Sequence, residues 1–470
     1  MENSQLIESL RTLDKNEIKE FGKFIRSPYF NNRSEVIRFF NYIKKFFPEF
    51  KSNELKEEII FKNVYPDKKY SSVMTRKLIS LTLNLLLDFL TIEDFKENKN
   101  DYNVKMLDML RKRKLPALFQ KRSRITGKNL NISTLDIYYY EQKLKFTSIQ
   151  NGYFLNSDES SFVDGLQNEL NDLIEFFLTG VILQYIRLSE WSRQLNKKFD
   201  LKFYDEILKY MSADDEREVT LYSMYFNMLM LLNTEDENYF KKLIISRDTL
   251  KAKLGKIDDY NVQIVSMQYC HKKVQKGYPE YRKQMFEITK KLLAADLIPD
   301  GFIEPYFFTN IVRNASLLNE FDWLDNFLSE YKHRLNPELS DEITNYSQAM
   351  IESAKGNFEK SLMHFSKIKI ERSNMKLDMK NLLIIIYYEL NFIEELISLI
   401  DTNKHFLQRD RSVSDSYRQV SLLLMNFVSE LIKIKSSNKK ISTHGLRKEI
   451  EKSDYFIFKE WLLKKAEELK

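Results

Sequence analysis

The residue types that most often perform catalysis or bind metals are sparse in this chain. Its 470 residues contain five histidines and one cysteine. The histidines are His271, His333, His364, His405 and His444. None of them has a second histidine or a cysteine four residues away, which is the spacing that places two zinc ligands on one face of a helix. We therefore predict no metal site.

Two further patterns bear on catalysis, and neither predicts a site. Cys270 and His271 are adjacent, but neighbouring residues on a helix point about 100° apart and do not pair as nucleophile and base. We expect Cys270 to be a buried, small apolar side chain. Thr126-Gly127-Lys128 lacks the upstream glycine and the preceding strand of a phosphate-binding loop. The sequence predicts a protein that is not an enzyme and binds no cofactor.

The strongest charged feature is RKRKLPALFQKRSRITGK, at residues 111–128. Its eight cations, called the basic patch below, are Arg111, Lys112, Arg113, Lys114, Lys121, Arg122, Arg124 and Lys128. No acidic residue lies between Asp108 and Asp136. Such a patch can neutralise phosphates, so it predicts, as an alternative function, DNA or RNA binding. It is equally the pattern of a solvated basic edge or of a dock for an acidic protein.

The composition predicts the elements that would position these residues. Gly numbers 10 and Pro 8, which leaves little material for the tight turns of a strand-rich fold, so we expect helices. Apolar residues make up 43% of the chain, enough to fill a sizeable core. The net charge of +6 is small for this length and does not by itself indicate a nucleic-acid or membrane partner.

Compartment can be judged from three features of the sequence. A single cysteine is typical of a reducing compartment. The start, MENSQLIESL, lacks the basic and apolar regions of a secretory signal. The longest apolar stretch, residues 173–188, is interrupted by Glu175, Gln184 and Arg187. We therefore expect a soluble cytoplasmic protein that makes no membrane contact.

The clearest helix boundaries lie near the start of the chain. Asp14 and Glu17 have the spacing of a capping box. In FIRSPYFNNRSEV, residues 24–36, Ser27-Pro28 should end that helix, and Asn32 with Glu35 should cap the next one. Tyr29 and Phe30 are then expected to fill the gap between the two helices.

Breaks in the helical pattern predict four segments. They are an N-terminal helical domain at 1–95, a central helical array at 104–300, helical repeats at 301–435 and a C-terminal helix at 445–470. The charged, Asn-rich stretch EDFKENKNDYN, residues 93–103, is the expected linker after the first segment. No window shows the sustained alternation of a β-strand.

Residues 343–368, ITNYSQAMIESAKGNFEKSLMHFSKI, resemble a tetratricopeptide (TPR) repeat. The match comprises Gly356 at the turn, then Phe358 and Phe365 on the second helix, with Ser361 where the family prefers Ala. One period of roughly 34 residues further on, Phe392 takes the place of Phe358 in a degenerate copy. Small residues at Ala349, Ala354 and Ser361 should let the two helices approach closely. The alternative to stacked repeats is a bundle of helical hairpins.

The resemblance implies an all-α fold, a helical hairpin array or TPR-like α-solenoid behind an N-terminal helical domain. It also implies a non-enzymatic scaffold or adaptor whose partner is an unknown protein or peptide. The expected structural repeat positions are Gly356, Phe358, Phe365 and Phe392.

The first 90 residues or so resemble a second group, an uncharacterised family of bacterial helical proteins from the Bacteroidota. The motifs in common are SPYFN, FNYIKKFFPEF, IIFKNVYPD and RKLISLTLNLLLDFL. Residues 55–90 are also similar to the winged-helix domain of bacterial transcriptional activators, with Tyr65-Pro66-Asp67 in place of Trp-Pro-Asp. A recognition helix needs a free basic face, and only Lys68, Lys69, Arg76 and Lys77 offer one here. DNA binding through this region therefore belongs to the alternative function.

Overall fold

The computed structural model of the chain describes residues 1–155, 157–195, 197–213, 218–299, 301–369, 373–409, 415–436, 443–454 and 456–469. Over these ranges the protein is all-helical, with 23 α-helices, and the only extended pairing is an isolated bridge between Leu135 and Leu254. The all-α expectation is confirmed. Among the described helices, none combines the length and apolar composition needed to cross a membrane.

The chain forms two compact units. The first contains Met1–Ser133 and Tyr138–Ile174, and the second contains Thr134–Ile137 and Glu175–Lys470. The helices that begin before residue 160 are α1 Gln5–Arg11, α2 Lys15–Arg26, α3 Ser34–Ile43, α4 Glu57–Val64, α5 Ser72–Glu97, α6 Lys99–Lys112, α7 Pro116–Asn131, α8 Ile137–Phe154 and α9 Glu159–Leu195.

The core of the first unit is built from the apolar faces of α1 to α5. Phe21 on α2 packs edge-on against Phe40 on α3, with ring centroids 5.0 Å apart. Helix α5 supplies Leu78, Leu86 and Phe89 to the same core. EDFKENKNDYN, residues 93–103, was predicted to be a linker, but α5 continues to Glu97 and α6 begins at Lys99. Only Asn98 separates them, and its side chain caps α6 by accepting from the N–H of Asp101.

The junction between α2 and α3 depends on Asn31. The predicted Asp14–Glu17 capping box at the start of α2 is confirmed. The predicted Asn32 cap on α3 is wrong, because Arg33 occupies that position without a side-chain hydrogen bond. The buried Asn31 amide instead donates to Ile25 O at 2.9 Å and to Arg33 O at 3.2 Å, and its Oδ1 accepts from Arg33 N at 3.0 Å. One side chain therefore joins the end of α2 to the start of α3.

The two aromatic residues at this junction do not fill a gap together. Tyr29 is 88% exposed, so its predicted role as a plug is wrong. Phe30 is partly covered because its ring stacks on that of Phe24, with centroids 4.0 Å apart. The turn places Tyr29 outward, since the chain bends back immediately after Ser27.

Replacing Asn31 with Ala should lower the free energy of unfolding by about 1–3 kcal/mol, because buried backbone groups lose their partner. The matched control is Asn32→Ala, which removes an exposed amide next to it and should change stability by less than about 0.5 kcal/mol. Urea unfolding followed by circular dichroism measures both. Equal effects of the two substitutions would contradict the bridging role of Asn31.

Helix α8 lies between α7 and α9 in the first unit. Phe119 of α7 stacks on Tyr153 of α8 at 4.2 Å, and Gln150 of α8 donates to Ser123 Oγ of α7 at 2.9 Å. On the other side, α8 holds α9 mainly through polar groups described below. These contacts decide which faces of α7 and α9 are covered.

The second unit contains the following helices: α10 Tyr204–Ser212, α11 Leu221–Thr234, α12 Glu237–Leu250, α13 Lys256–Gln275, α14 Glu280–Ala294, α15 Pro305–Leu317, α16 Phe321–Tyr331, α17 Pro337–Ala354, α18 Phe358–Phe365, α19 Ser373–Glu389, α20 Ile393–Arg409, α21 Asp415–Ser436, α22 His444–Lys452 and α23 Lys459–Glu468. Helices α11 to α20 pack as five consecutive pairs. We call α11, α13, α15, α17 and α19 the first helices. Successive first helices contact each other at α11–α13, α15–α17 and α17–α19.

Every first helix is followed, within two residues of its end, by a residue with positive φ. These residues are Glu235, Gly277, Asn319, Gly356 and Asn391, with φ between 55° and 90°. In the last four of these turns, the residue that follows the positive-φ residue donates its N–H to the carbonyl five residues back. An example is the bond from Asn357 N to Glu352 O at 2.8 Å. This is the hydrogen-bond pattern that closes a helix and reverses the chain. The spacings between the five residues are 42, 42, 37 and 35.

The C-terminal helices are held against α19. Glu389 of α19 accepts from Trp461 Nε1 at 2.7 Å and from Lys465 Nζ at 2.8 Å. The segment 445–470, expected as one helix, contains α22 and α23. Leu462 and Ala466 of α23 complete the core that α19 to α21 begin.

Candidate functional site

The basic patch lies on the hairpin of α6 and α7 in the first unit. Arg111 and Lys112 pair with Asp108, at 2.8 and 2.7 Å, and lower the pKa of its carboxyl. The remaining six cations are exposed and form no ion pair within the described ranges: Arg113, Lys114, Lys121, Arg122, Arg124 and Lys128. They lie near three apolar residues that are also exposed, Leu115, Leu118 and Ile125. The patch thus combines positive charge with apolar surface.

The four predicted repeat positions lie at comparable places in two consecutive pairs. Gly356 has φ +81° and lies two residues after the end of α17, and Phe358 begins α18. Phe365 is buried, whereas Phe392 is 41% exposed and directly precedes α20. Ser361 Oγ donates to Ala349 O at 2.6 Å, so α17 and α18 approach closely where small residues were expected. Ala354 is exposed and takes no part in that approach.

A cluster of polar side chains on the first helices is absent from the sequence predictions. Arg313 on α15 donates to Asp378 Oδ2 on α19 at 2.9 Å and to Tyr346 Oη on α17 at 3.4 Å. A third bond, to Asn310 Oδ1 at 3.3 Å, stays within α15. The Arg313 and Asp378 side chains retain 22% and 11% exposure. One guanidinium therefore joins three first helices and remains within reach of solvent.

Charges in the cluster stabilise particular protonation states. Burial alone would lower the pKa of the Arg313 guanidinium, but Asp378 and Tyr346 outweigh burial and raise it. Burial raises the pKa of Tyr346, although Arg313 opposes the change. Burial, together with Asp378, likewise raises the pKa of Tyr306. At neutral pH the cluster presents a charged arginine and two protonated phenols.

His271, on α13, adds a neutral imidazole to this region. Its side chain is exposed to solvent. Desolvation by surrounding protein, followed by the positive charges of Arg313 and Arg282, nevertheless lowers its pKa from the ordinary value of 6.5. The arrangement can accept an anionic group, because the Arg313 guanidinium remains partly exposed and its charge, with that of Arg282, acts on this imidazole.

Cys270 and the Tyr225–Asp258 pair are buried in the core of the second unit. Cys270 is fully buried, as expected from the sequence, and burial raises the pKa of its thiol to about 12. Tyr225 on α11 donates to the buried Asp258 on α13, and burial raises the pKa of both groups. No group of three or more His, Cys, Asp or Glu side chains in the described ranges is arranged to hold a metal ion.

Comparison with known proteins found no family model, no curated protein and no solved structure that matches the chain.

Because the pKa of His271 is lowered in the folded protein, the unfolded chain takes up this proton first as the pH falls. The folded state should therefore lose stability, relative to His271→Gln, as the pH drops below about 6.5. Proton NMR titration of the imidazole should give a pKa below 6.5, and Arg282→Gln should raise it. An unchanged pKa in Arg282→Gln would contradict the contribution of that guanidinium.

Proposed function

We propose that the protein is a non-enzymatic adaptor that binds an acidic segment of a partner protein along its first helices. The observation that carries the proposal is the reach of Arg313, which contacts side chains on α15, α17 and α19 together. A side chain can span three successive helices only where those helices face a common side. Such a side, when lined with accessible polar and aromatic groups, suits an extended peptide.

A TPR-like α-solenoid is the arrangement we propose for α11 to α20. The support comes from five pairs whose first helices all end at a left-handed residue, and from contacts between successive first helices. The TPR-like motif around Gly356 lies in one of these pairs. The spacings of 42 and 37 residues exceed the roughly 34 residues of a TPR, so the array would be irregular.

The charge of the cluster favours an acidic partner. The Arg313 guanidinium remains partly exposed beside Asp378, and the positive charges of Arg313 and Arg282 both lower the pKa of His271. A carboxylate of the partner would meet arginine donors already oriented by Asn310 and Tyr346. Preorganised donors reduce the entropy that binding has to overcome.

A photo-crosslinking amino acid tests this face directly. Placed at His271, it should capture a partner from native lysate. The same group at Met363, a 51% exposed position on the second helix α18, should not. Capture from His271 should weaken as salt rises, because opposite charges are screened. No capture at His271, or equal capture at Met363, would contradict the proposed face.

Nucleic-acid binding is the second candidate. It is favoured by the six exposed cations of the basic patch that have no ion pair in the described ranges. Phosphate contacts of this kind make affinity fall steeply with salt and vary little with base sequence. The exposed Leu118 and Ile125 beside the cations are not explained by phosphate binding.

Fluorescence anisotropy with mixed duplexes and single strands at low salt tests this candidate. If the patch binds phosphates, Lys121→Glu with Arg124→Glu should abolish binding. Lys51→Glu with Lys62→Glu, at exposed positions of the same unit, should leave it nearly intact. Absence of binding by the wild-type chain at low salt would remove the candidate.

A further inference from the structure

Helix α9 turns an apolar face to solvent along the part that lies in the first unit. The residues of this face, called the α9 stripe, are Val163, Leu166, Leu170, Leu173 and Ile174. Each is 37–57% exposed. Their spacing, with steps of three and four residues, places them on one side of a helix and is the pattern of a helix–helix seam.

The opposite face of α9 is polar and covered. Asp172, with 8% of its side chain exposed, pairs with Lys143 at 2.9 Å and accepts from Thr147 Oγ1 at 2.5 Å. Asn151 Nδ2 donates to Gly165 O at 2.9 Å and to Glu169 Oε2 at 2.6 Å. Helix α9 therefore binds α8 through its polar side and exposes its apolar side. An isolated soluble unit would normally do the reverse, so the exposed side is expected to be an interface.

The exposed charges near the α9 stripe are acidic. Asp158 and Glu159 are exposed at its N-terminal end, and residues 146–186 contain no Lys, Arg or His. Asp164 is exposed close to the stripe. A partner helix for this face should therefore combine an apolar stripe with basic flanks.

Helix α7 of the same unit has those properties. Leu118 and Ile125 on this helix, with Ile132 directly after its last residue, are 50%, 39% and 82% exposed and seven residues apart; we call these three the α7 stripe. Lys121 and Lys128 lie one turn beyond the first two of them, and Arg122 and Arg124 flank the stripe. The inward side of α7 is already occupied, since Phe119 and Leu130 are buried.

We propose that the α7 stripe of one copy of this chain packs against the α9 stripe of a second copy. Both stripes are exposed within one chain, so they do not cover each other there. Helix α7 has 16 residues, as has the part of α9 from 159 to 174, so both are about 24 Å long. A dimer with twofold symmetry makes this contact twice and leaves no stripe uncovered.

A second copy of the chain covers both the α7 stripe and the α9 stripe, whereas other partners would cover only one of them. An anionic membrane or a nucleic acid would bind α7 but would be repelled by the carboxylates around the α9 stripe. An unrelated basic helix would cover α9 and leave the α7 stripe exposed. The proposed dimer does not depend on the peptide-binding function, because the stripes and the polar cluster lie in different units.

Sedimentation velocity on the full-length chain, over about a hundredfold range of concentration, tests the dimer. The mass should rise from 56.4 kDa towards twice that value, and raised salt should weaken the association. A 56.4-kDa species at every concentration would overturn the proposal.

Substitutions then locate the contact. Leu166→Glu with Leu170→Glu, and separately Lys121→Glu with Lys128→Glu, should each weaken dimerisation by about tenfold or more. The control is Leu87→Glu, at a 50% exposed position on α5, which should leave the dimer Kd nearly unchanged. All five positions are exposed, and circular dichroism verifies that the variants fold. A dimer that tolerates either paired substitution would refute the α7–α9 contact.

A mixture of the two paired variants distinguishes the proposed contact from a symmetric α9–α9 contact. The first variant retains its α7 stripe with the basic flanks, and the second retains its α9 stripe, so one proposed contact can form between them. The mixture should associate more strongly than either variant alone. Failure of the mixture to associate, in a chain whose wild type dimerises, would exclude α7–α9 pairing.

Discussion

The reversal of the chain at the end of each first helix is the constraint on which the second unit depends. A single residue with positive φ ends the helix and directs the chain back along it. Glycine adopts this conformation freely, and it does so at Gly277 and Gly356. Asn319 and Asn391 use the next best residue type, and Glu235 uses a poor one. The cores of the pairs can form only because these turns return each second helix to its partner.

The fold class can be predicted from composition, whereas helix boundaries can be predicted only where a capping motif marks them. Few glycines and prolines predict helices, and the Asp14–Glu17 spacing predicts the start of α2 correctly. The turns that end the first helices are harder to recognise from sequence, because asparagine or glutamate replaces glycine in three of the five and the spacing varies from 35 to 42 residues. At the α2–α3 junction, two adjacent asparagines have equal cap propensity. Asn31 takes the structural role because its amide meets three backbone contacts at once.

The three candidate interaction regions differ in how much the sequence shows of them. Eight cations in 18 residues are visible without any structure. The Arg313–Asp378 pair joins residues 65 positions apart, and one sequence does not contain that pairing. The exposure of the α9 stripe also cannot be predicted from the sequence, since helical periodicity identifies an apolar face but does not tell whether that face points inward. The orientation of α9 is fixed by the polar contacts of Asp172 with Lys143 and Thr147 on α8, which leave the apolar side of α9 facing outward.

The state of Cys270 has a practical consequence for studying this chain. It is the single cysteine, it is fully buried, and the pKa of its thiol is raised to about 12. Thiol reagents react with the exposed thiolate form, so the native cysteine should be inert towards maleimides in the folded protein. Cysteines introduced on the surface can then carry fluorophores or spin labels at chosen positions in an otherwise wild-type background.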